Sequence, residues 1–232
     1  MSTRGVYGFQ IDGMTKIIRN QYDSYPRGIG QDLLDAVRAL RQSQGDAGLA
    51  DIVRRLRCVE LDHPIDDSDI RRAEEITGTS RSGWIRPVGS ADTLRCLCNE
   101  HTGALTKLED IVRFGLAPDG HHYVGNGLLC AWGYVVDLDA MRFEVYSGFL
   151  EADHDRGRFS SAPRVVPKFA PIAGLLAWPL DDVPDDWDEM STIARCILTD
   201  NEDDLDNDGS AHRRLTVRRL LDRFPEMPDA VW

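Results

Sequence analysis

No run of apolar residues in this chain approaches the roughly 18 that a membrane-spanning helix needs, although 42% of its 232 residues are hydrophobic. The first residues, MSTRGVYGFQIDGMTK, contain no basic segment leading into an apolar stretch. No signal peptide is therefore expected, and the expectation is a cytoplasmic protein. No Cys-x-x-Cys pair occurs either. The five cysteines are scattered, and Cys96 and Cys98 form only a Cys-x-Cys. That spacing does not suggest a structural zinc knuckle, so the thiols are expected to be reduced and to behave as small hydrophobes. There is no internal repeat and no low-complexity linker. With 28% charged residues the composition is that of an ordinary globular chain.

An excess of positive charge is also missing, and the net charge is −12. Residues 181–208 hold twelve acids against Arg195 alone, so eleven of the twelve excess negative charges sit there. Counterion release from nucleic acid needs a positive face, so neither nucleic acid nor a membrane is expected as partner. The length suffices for one good core. The chain reads as an α+β core domain over 1–180 and an acidic helical C-terminal extension over 181–232 packed on it.

Local patterns fill in the core. Residues 4–19 alternate around Asp12-Gly13, a strong hairpin signal because both turn residues need positive φ. Leu33, Leu34, Val37 and Leu40 form the stripe of an amphipathic helix, and Leu49, Ile52, Val53 and Leu56 form a second. DDSDIRRAEEITG and TKLEDIVRFG read as further helices, the latter closed by Gly115. LLCAWGYVVDLDAMRFEVYSGF gives a second hairpin turning near Asp139-Ala140. Pro163, Pro167, Pro171 and Pro179 mark loop or edge structure. Helices are expected over roughly 185–198 and 211–223. The order of elements predicts α+β, with an N-terminal β-hairpin and further antiparallel strands packed with helices.

The N-terminus carries the most specific chemistry. Removal of Met1 would leave Ser2 with a free α-amine, whose pKa near 8 suits it to take the proton of the Ser2 hydroxyl as that attacks a carbonyl. Arg19, Asn20 and Asp23 follow the hairpin, whose far end returns beside its start. Asp23 would orient the amine and Asn20 would donate to an oxyanion. Against this stands the reading of Asp-Ser-Tyr-Pro-x-Gly as a tight turn with no catalytic role.

The opening MSTRGVYGF together with YDSYPRGIG resembles a group of largely uncharacterised proteins from phages, bacteria and fungi. These open M-[SC]-T-R-[GAS] and carry D-[SG]-Y-P-x-G about twenty residues later. WGYVVDLDAMRFEVYSGF resembles their second hairpin, and Gln21 stands where members often have His. The same opening is similar, more distantly, to N-terminal-nucleophile hydrolases of the choloylglycine-hydrolase type, which begin M-C-T and present R-N-x-D. That resemblance implies a hydrolase-like fold and an amide or peptide substrate. Ser2 would match the nucleophilic cysteine, Arg19 the arginine and Asp23 the aspartate. The chain departs from the pattern in having Ser for Cys and one extra residue between Arg19 and Asp23.

Other candidates are weaker. Asp204, Asp206 and Asp208 with Gly209 reproduce the first half of a calcium loop, but Leu215 stands where the closing Glu belongs. Weak calcium binding at best is expected, and no other cofactor. His121 and His122, and His154 between Asp153 and Asp155, are further possible ligands. The basic stretch HRRLTVRRLLDRF reads as a partner for the acidic loop beside it. Two functions remain open at this stage. One is an amide hydrolase acting on a small amide or peptide. The other is a non-catalytic, phage- or mobile-element-associated module that binds a protein through its acidic C-terminal surface.

Overall fold

The computed structural model describes residues 3–78, 80, 93–98, 105 and 107–199. Ser2, the Asp204–Asp208 loop and the helix expected over 211–223 lie outside the described residues. Strands β1 (Gly5–Ile11) and β2 (Met14–Asn20) form the expected hairpin. Its turn residues Asp12 and Gly13 have φ of 51° and 74°, the sign that such a turn demands.

Helix α1 runs from Gln31 to Arg55 but is broken at Gly45, where φ is 71° and ψ 174°. The two helices read from the sequence are its two halves. Strand β3 (Arg57–Val59) follows, then α2 (Asp67–Thr77), whose start is closed by a reciprocal Asp66–Asp69 capping box. After α3 (Leu94–Leu97) comes α4 (Leu108–Phe114), which ends on Gly115 at φ 84°, as its sequence indicated. Strand β4 (Leu116–Pro118) pairs with β3 in parallel, and α5 (His121–Val124) is a single turn. Strands β5 (Trp132–Asp137) and β6 (Arg142–Ser147) form the second hairpin. Strand β7 (Ala173–Pro179) and α6 (Trp187–Thr199) complete the described chain.

Five strands make one sheet in the order β2-β1-β5-β6-β7. All its pairs are antiparallel except β1–β5, which joins the two hairpins in parallel. The fold is α+β, and β7 is an edge strand ending at Pro179, as the proline spacing suggested. The turns of the two hairpins are tied together, since Asp12 N and Gly13 N donate to the Asp139 carboxylate at 2.8 and 2.9 Å.

Side chains alternate across the sheet. On one face Tyr7, Phe9, Ile11, Tyr134 and Phe143 pack against Leu33, Leu34, Val37 and Leu40 of α1. On the other, Val6, Ile17, Val135 and Tyr146 pack against Phe159 and Ile172 from the loop before β7. The start of the acidic segment belongs to the first layer. Trp187 meets Phe143 edge-on at 5.1 Å between ring centroids, and Arg195 lies between the rings of Trp132 and Phe149. Asp181 and Asp188 pair with Arg41 and Arg27. None of the five cysteines forms a disulfide. Among the described residues no helix is long and apolar enough to cross a membrane.

Candidate functional site

The hairpin register pairs Gly5 with Asn20, so the first and last residues of the N-terminal unit are neighbours. Gly5 is required there. A Cβ on it would come within 2.3 Å of the Trp132 carbonyl oxygen and 2.7 Å of Ser24 Cβ. Ser24 is fully buried, and each of its polar groups is engaged. Its N–H donates to Thr3 O at 3.1 Å, its Oγ accepts from Asn20 Nδ2 at 2.8 Å, and its carbonyl accepts from Tyr134 Oη at 3.1 Å. Thr3, the first described residue, is thus held against the loop that follows β2.

Asn20 Nδ2 also donates to the Tyr22 carbonyl. Both protons of its amide are therefore spent on this corner, and none is left for an oxyanion. Asp23 sits at φ 47° and accepts the Ile29 N–H at 3.1 Å. Gly28 faces it so closely that a Cβ would lie 2.3 Å from the Asp23 carbonyl oxygen. The turn chemistry read from Asp-Ser-Tyr-Pro-x-Gly is present in full. Arg19 takes the opposite side of β2, with its guanidinium 4.4 Å from the centre of the Tyr123 ring. Its Nε is buried and makes no hydrogen bond.

Arg19, Asn20 and Asp23 border one cavity of about 540 Å³ between the open end of the hairpin, α1 and α4. Alpha-helical spacing brings Asp32, Asp35, Ala36 and Ala39 to its α1 wall, while the leucines of that helix face the sheet. The two alanines leave the space. Their small size at i and i+3, beside the leucine stripe, was a sequence signal for it. Opposite stand Leu108 and Ile111 of α4, with Lys107 at the start of that helix.

The carboxyl of Asp32 is raised above its ordinary value, first by burial and then by the like charges of Asp35 and Asp23. Cys98 also borders the cavity, and burial pushes its thiol up to about 12. It is a neutral thiol near pH 7 and a poor nucleophile.

Two of the candidate histidines are hydrogen-bonded within the protein. His121 and His122 lie on α5. The His121 ring faces Asp119 Oδ1 at 2.6 Å and Thr15 O at 3.0 Å, and His154 Nε2 faces Pro171 O at 2.8 Å. Among the described residues no group of three or more His, Cys, Asp or Glu is arranged to hold a metal.

A second polar cluster, on the far face of the sheet, had no sequence signature. Arg158 donates to Asp137 Oδ2 and Glu144 Oε1, both at 2.6 Å, and to Gln10 Oε1 at 2.7 Å. Tyr146 Oη donates to Glu144 Oε2 at 2.6 Å. Burial works against the Arg158 charge, but its hydrogen bonds to Glu144 and Asp137 outweigh that and raise its pKa. With every member paired, this cluster fastens the loop before β7 to the sheet. No known protein family, curated protein or solved structure matches the chain.

Proposed function

We propose that the chain is an amide hydrolase of N-terminal-nucleophile type, with Ser2 as nucleophile and its own α-amine as base. The observation that carries this reading is the meeting of Thr3, Asn20 and Asp23 at a corner beside a cavity of about 540 Å³, a size suited to a small ligand. Ser2 is bonded directly to Thr3. A rigid backbone at that point is what an N-terminal nucleophile requires.

The roles differ from the first expectation. Asn20, with both amide protons engaged, positions Ser24 and through it Thr3. Asp23 orients the amine, and Arg19 braces the end of β2 against Tyr123. In the reaction Ser2 Oγ bonds to the amide carbonyl carbon as its proton passes to the α-amine. Collapse of the tetrahedral adduct then breaks the C–N bond, and the same proton goes to the departing amine. Water hydrolyses the resulting ester.

The test is the intact mass of untagged protein before and after exposure to an acylating β-lactone, with Ser2→Ala alongside. Ring opening by Ser2 adds the full mass of the lactone. Loss of Met1 and a single adduct absent from Ser2→Ala is the expected result. Retained Met1, or an adduct indifferent to Ser2→Ala, overturns the reading.

A second reading is a non-catalytic protein-binding module acting through the acidic 181–208 surface. It is favoured by the exposure of Asp182, Asp185, Asp186 and Glu189 and by the complete use of Asn20 within the turn. Charge reversal at those four acids would abolish partner binding while leaving any Ser2 adduct untouched.

A further inference from the structure

The cavity beside the hairpin has two chemically different ends. One is apolar, formed by Ala36 and Ala39 across from Leu108 and Ile111. The other is a solvent-exposed carboxylate rim of Asp23, Asp32 and Asp35, in which Asp32 faces the like charges of the other two. A ligand that fills such a space must match both.

The charges around it are unevenly partnered. Glu109 is engaged by Arg113 at 2.5 Å, and Asp35 accepts from Gln31 Nε2 at 2.9 Å and has Arg38 at 3.6 Å. Asp32 makes neither a hydrogen bond nor an ion pair among the described residues; its electrostatic neighbours are the like charges of Asp35 and Asp23. The Arg19 guanidinium is committed to the Tyr123 ring on the other side of β2. Among the described lining residues Lys107 is the remaining cation, and it belongs to the α4 wall rather than to the α1 wall that carries Asp32.

We infer that the cavity takes a small amphiphile bearing an ammonium or guanidinium group. Its aliphatic or aromatic body lies between Ala36, Ala39, Leu108 and Ile111, and its cation lies against Asp32 and Asp23. An anionic group of the same shape is rejected, because it would meet carboxylates and lose its hydration. Burial first and like-charge repulsion second raise the Asp32 carboxyl; a cation relieves the repulsion, so its affinity climbs with pH as Asp32 ionises and then levels off. Calling this ligand a substrate rests on the hydrolase reading, in which the amide carries a basic group. Binding itself does not depend on Ser2.

The experiment is calorimetric titration of the full chain with hexylammonium and with hexanoate, at low salt near neutral pH. Wild type, Ser2→Ala, Asp32→Asn and Ala36→Leu are compared, with circular dichroism reporting their folding. Hexylammonium should bind wild type and Ser2→Ala equally, and hexanoate should bind neither. Asp32→Asn should weaken hexylammonium about tenfold, the loss of one charge-assisted contact. Ala36→Leu should abolish binding by filling the apolar end.

Equal binding of the two probes, no hexylammonium binding into the millimolar range, or indifference to Asp32→Asn overturns the inference. Should Ala36→Leu misfold, Asp32→Asn and the probe of opposite charge still decide it. If wild type binds hexylammonium but forms no Ser2 adduct with the lactone, the hydrolase reading fails and this one stands. The reverse pattern sinks this one alone.

Discussion

Two sets of carboxylates lie on opposite sides of the same sheet, and the protein treats them differently. Asp137 and Glu144 are almost fully buried, with side-chain exposures of 10% and 5%, and Arg158 reaches both. Asp23, Asp32 and Asp35 are exposed on the border of a cavity, where Asp35 has Arg38 at 3.6 Å and Asp32 faces the like charges of the other two. Buried carboxylates are stable only where paired and hydrogen-bonded, and the Arg158 cluster meets that condition. The cavity carboxylates are exposed, so water can solvate Asp32 without an internal partner, and it stays accessible to a cation from outside. The first set closes the structure, and the second leaves it open to a partner.

The strongest way to break this contrast is to remove the cation from the closed side. Arg158→Met keeps most of the volume but leaves Asp137 and Glu144 buried without their partner. The expected loss is about 3–5 kcal/mol, the usual cost of breaking a buried pair from one side. Urea unfolding near neutral pH measures it. Adding Asp137→Asn and Glu144→Gln to Arg158→Met should recover part of the loss by removing the stranded charges. A loss below about 1 kcal/mol, in the range of surface pairs, would show that the cluster is no more than a surface ion pair.

A smaller effect is expected at the seam between the two sides. Gly5 touches Trp132 on the sheet and Ser24 in the loop bordering the cavity, leaving no room for a methyl group. Gly5→Ala should cost about 1–3 kcal/mol through overpacking. It should also lower hexylammonium affinity, because the displaced Ser24 carries Asn20 and Thr3 with it. A variant that loses stability but binds normally would separate the corner from the cavity.

How far the sequence foretold these features follows from how local each one is. The Asp12-Gly13 turn, the α1 stripe, the Gly115 stop and the Asp-Ser-Tyr-Pro-x-Gly loop are set by residues a few positions apart, and all were legible. The parallel pairing of β1 with β5 was not. Gly5 and Trp132 pair across the whole helical stretch that separates them in the chain, and no local pattern marks so distant a partner. The three-residue pairing of β3 with β4 was too short to give a period. The Arg158 cluster draws on residues 10, 137, 144 and 146, each an unremarkable polar position in its own strand. At the candidate site, the sequence singled out Arg19, Asn20 and Asp23 as neighbours of Ser2 across the hairpin, and all three border one cavity. Neither the stacking of Arg19 on Tyr123 nor the exhaustion of the Asn20 amide had a sequence signal, because both depend on which face of β2 each side chain takes.

The smallest predicted effect, at Asp32, tests the open side directly because two forces of opposite sign meet there. Its folded-state carboxyl lies above its ordinary value, so the folded chain holds that proton more tightly than the unfolded chain does. Ionisation therefore costs stability as pH rises from the ordinary carboxylate range, and the cost is absent below it. On this account Asp32→Asn raises the melting temperature near pH 7 by a small amount and leaves it unchanged at about pH 3. The opposing force is the positive end of α1, whose first turn contains Asp32; a charge there is ordinarily worth about 0.3–1 kcal/mol. A lower melting temperature for Asp32→Asn near pH 7 would mean that the helix end outweighs the crowding, and that Asp32 serves α1 rather than a ligand. A raised one, together with weaker hexylammonium binding, would mean that the free protein gives up stability to keep this carboxylate ready for a cation.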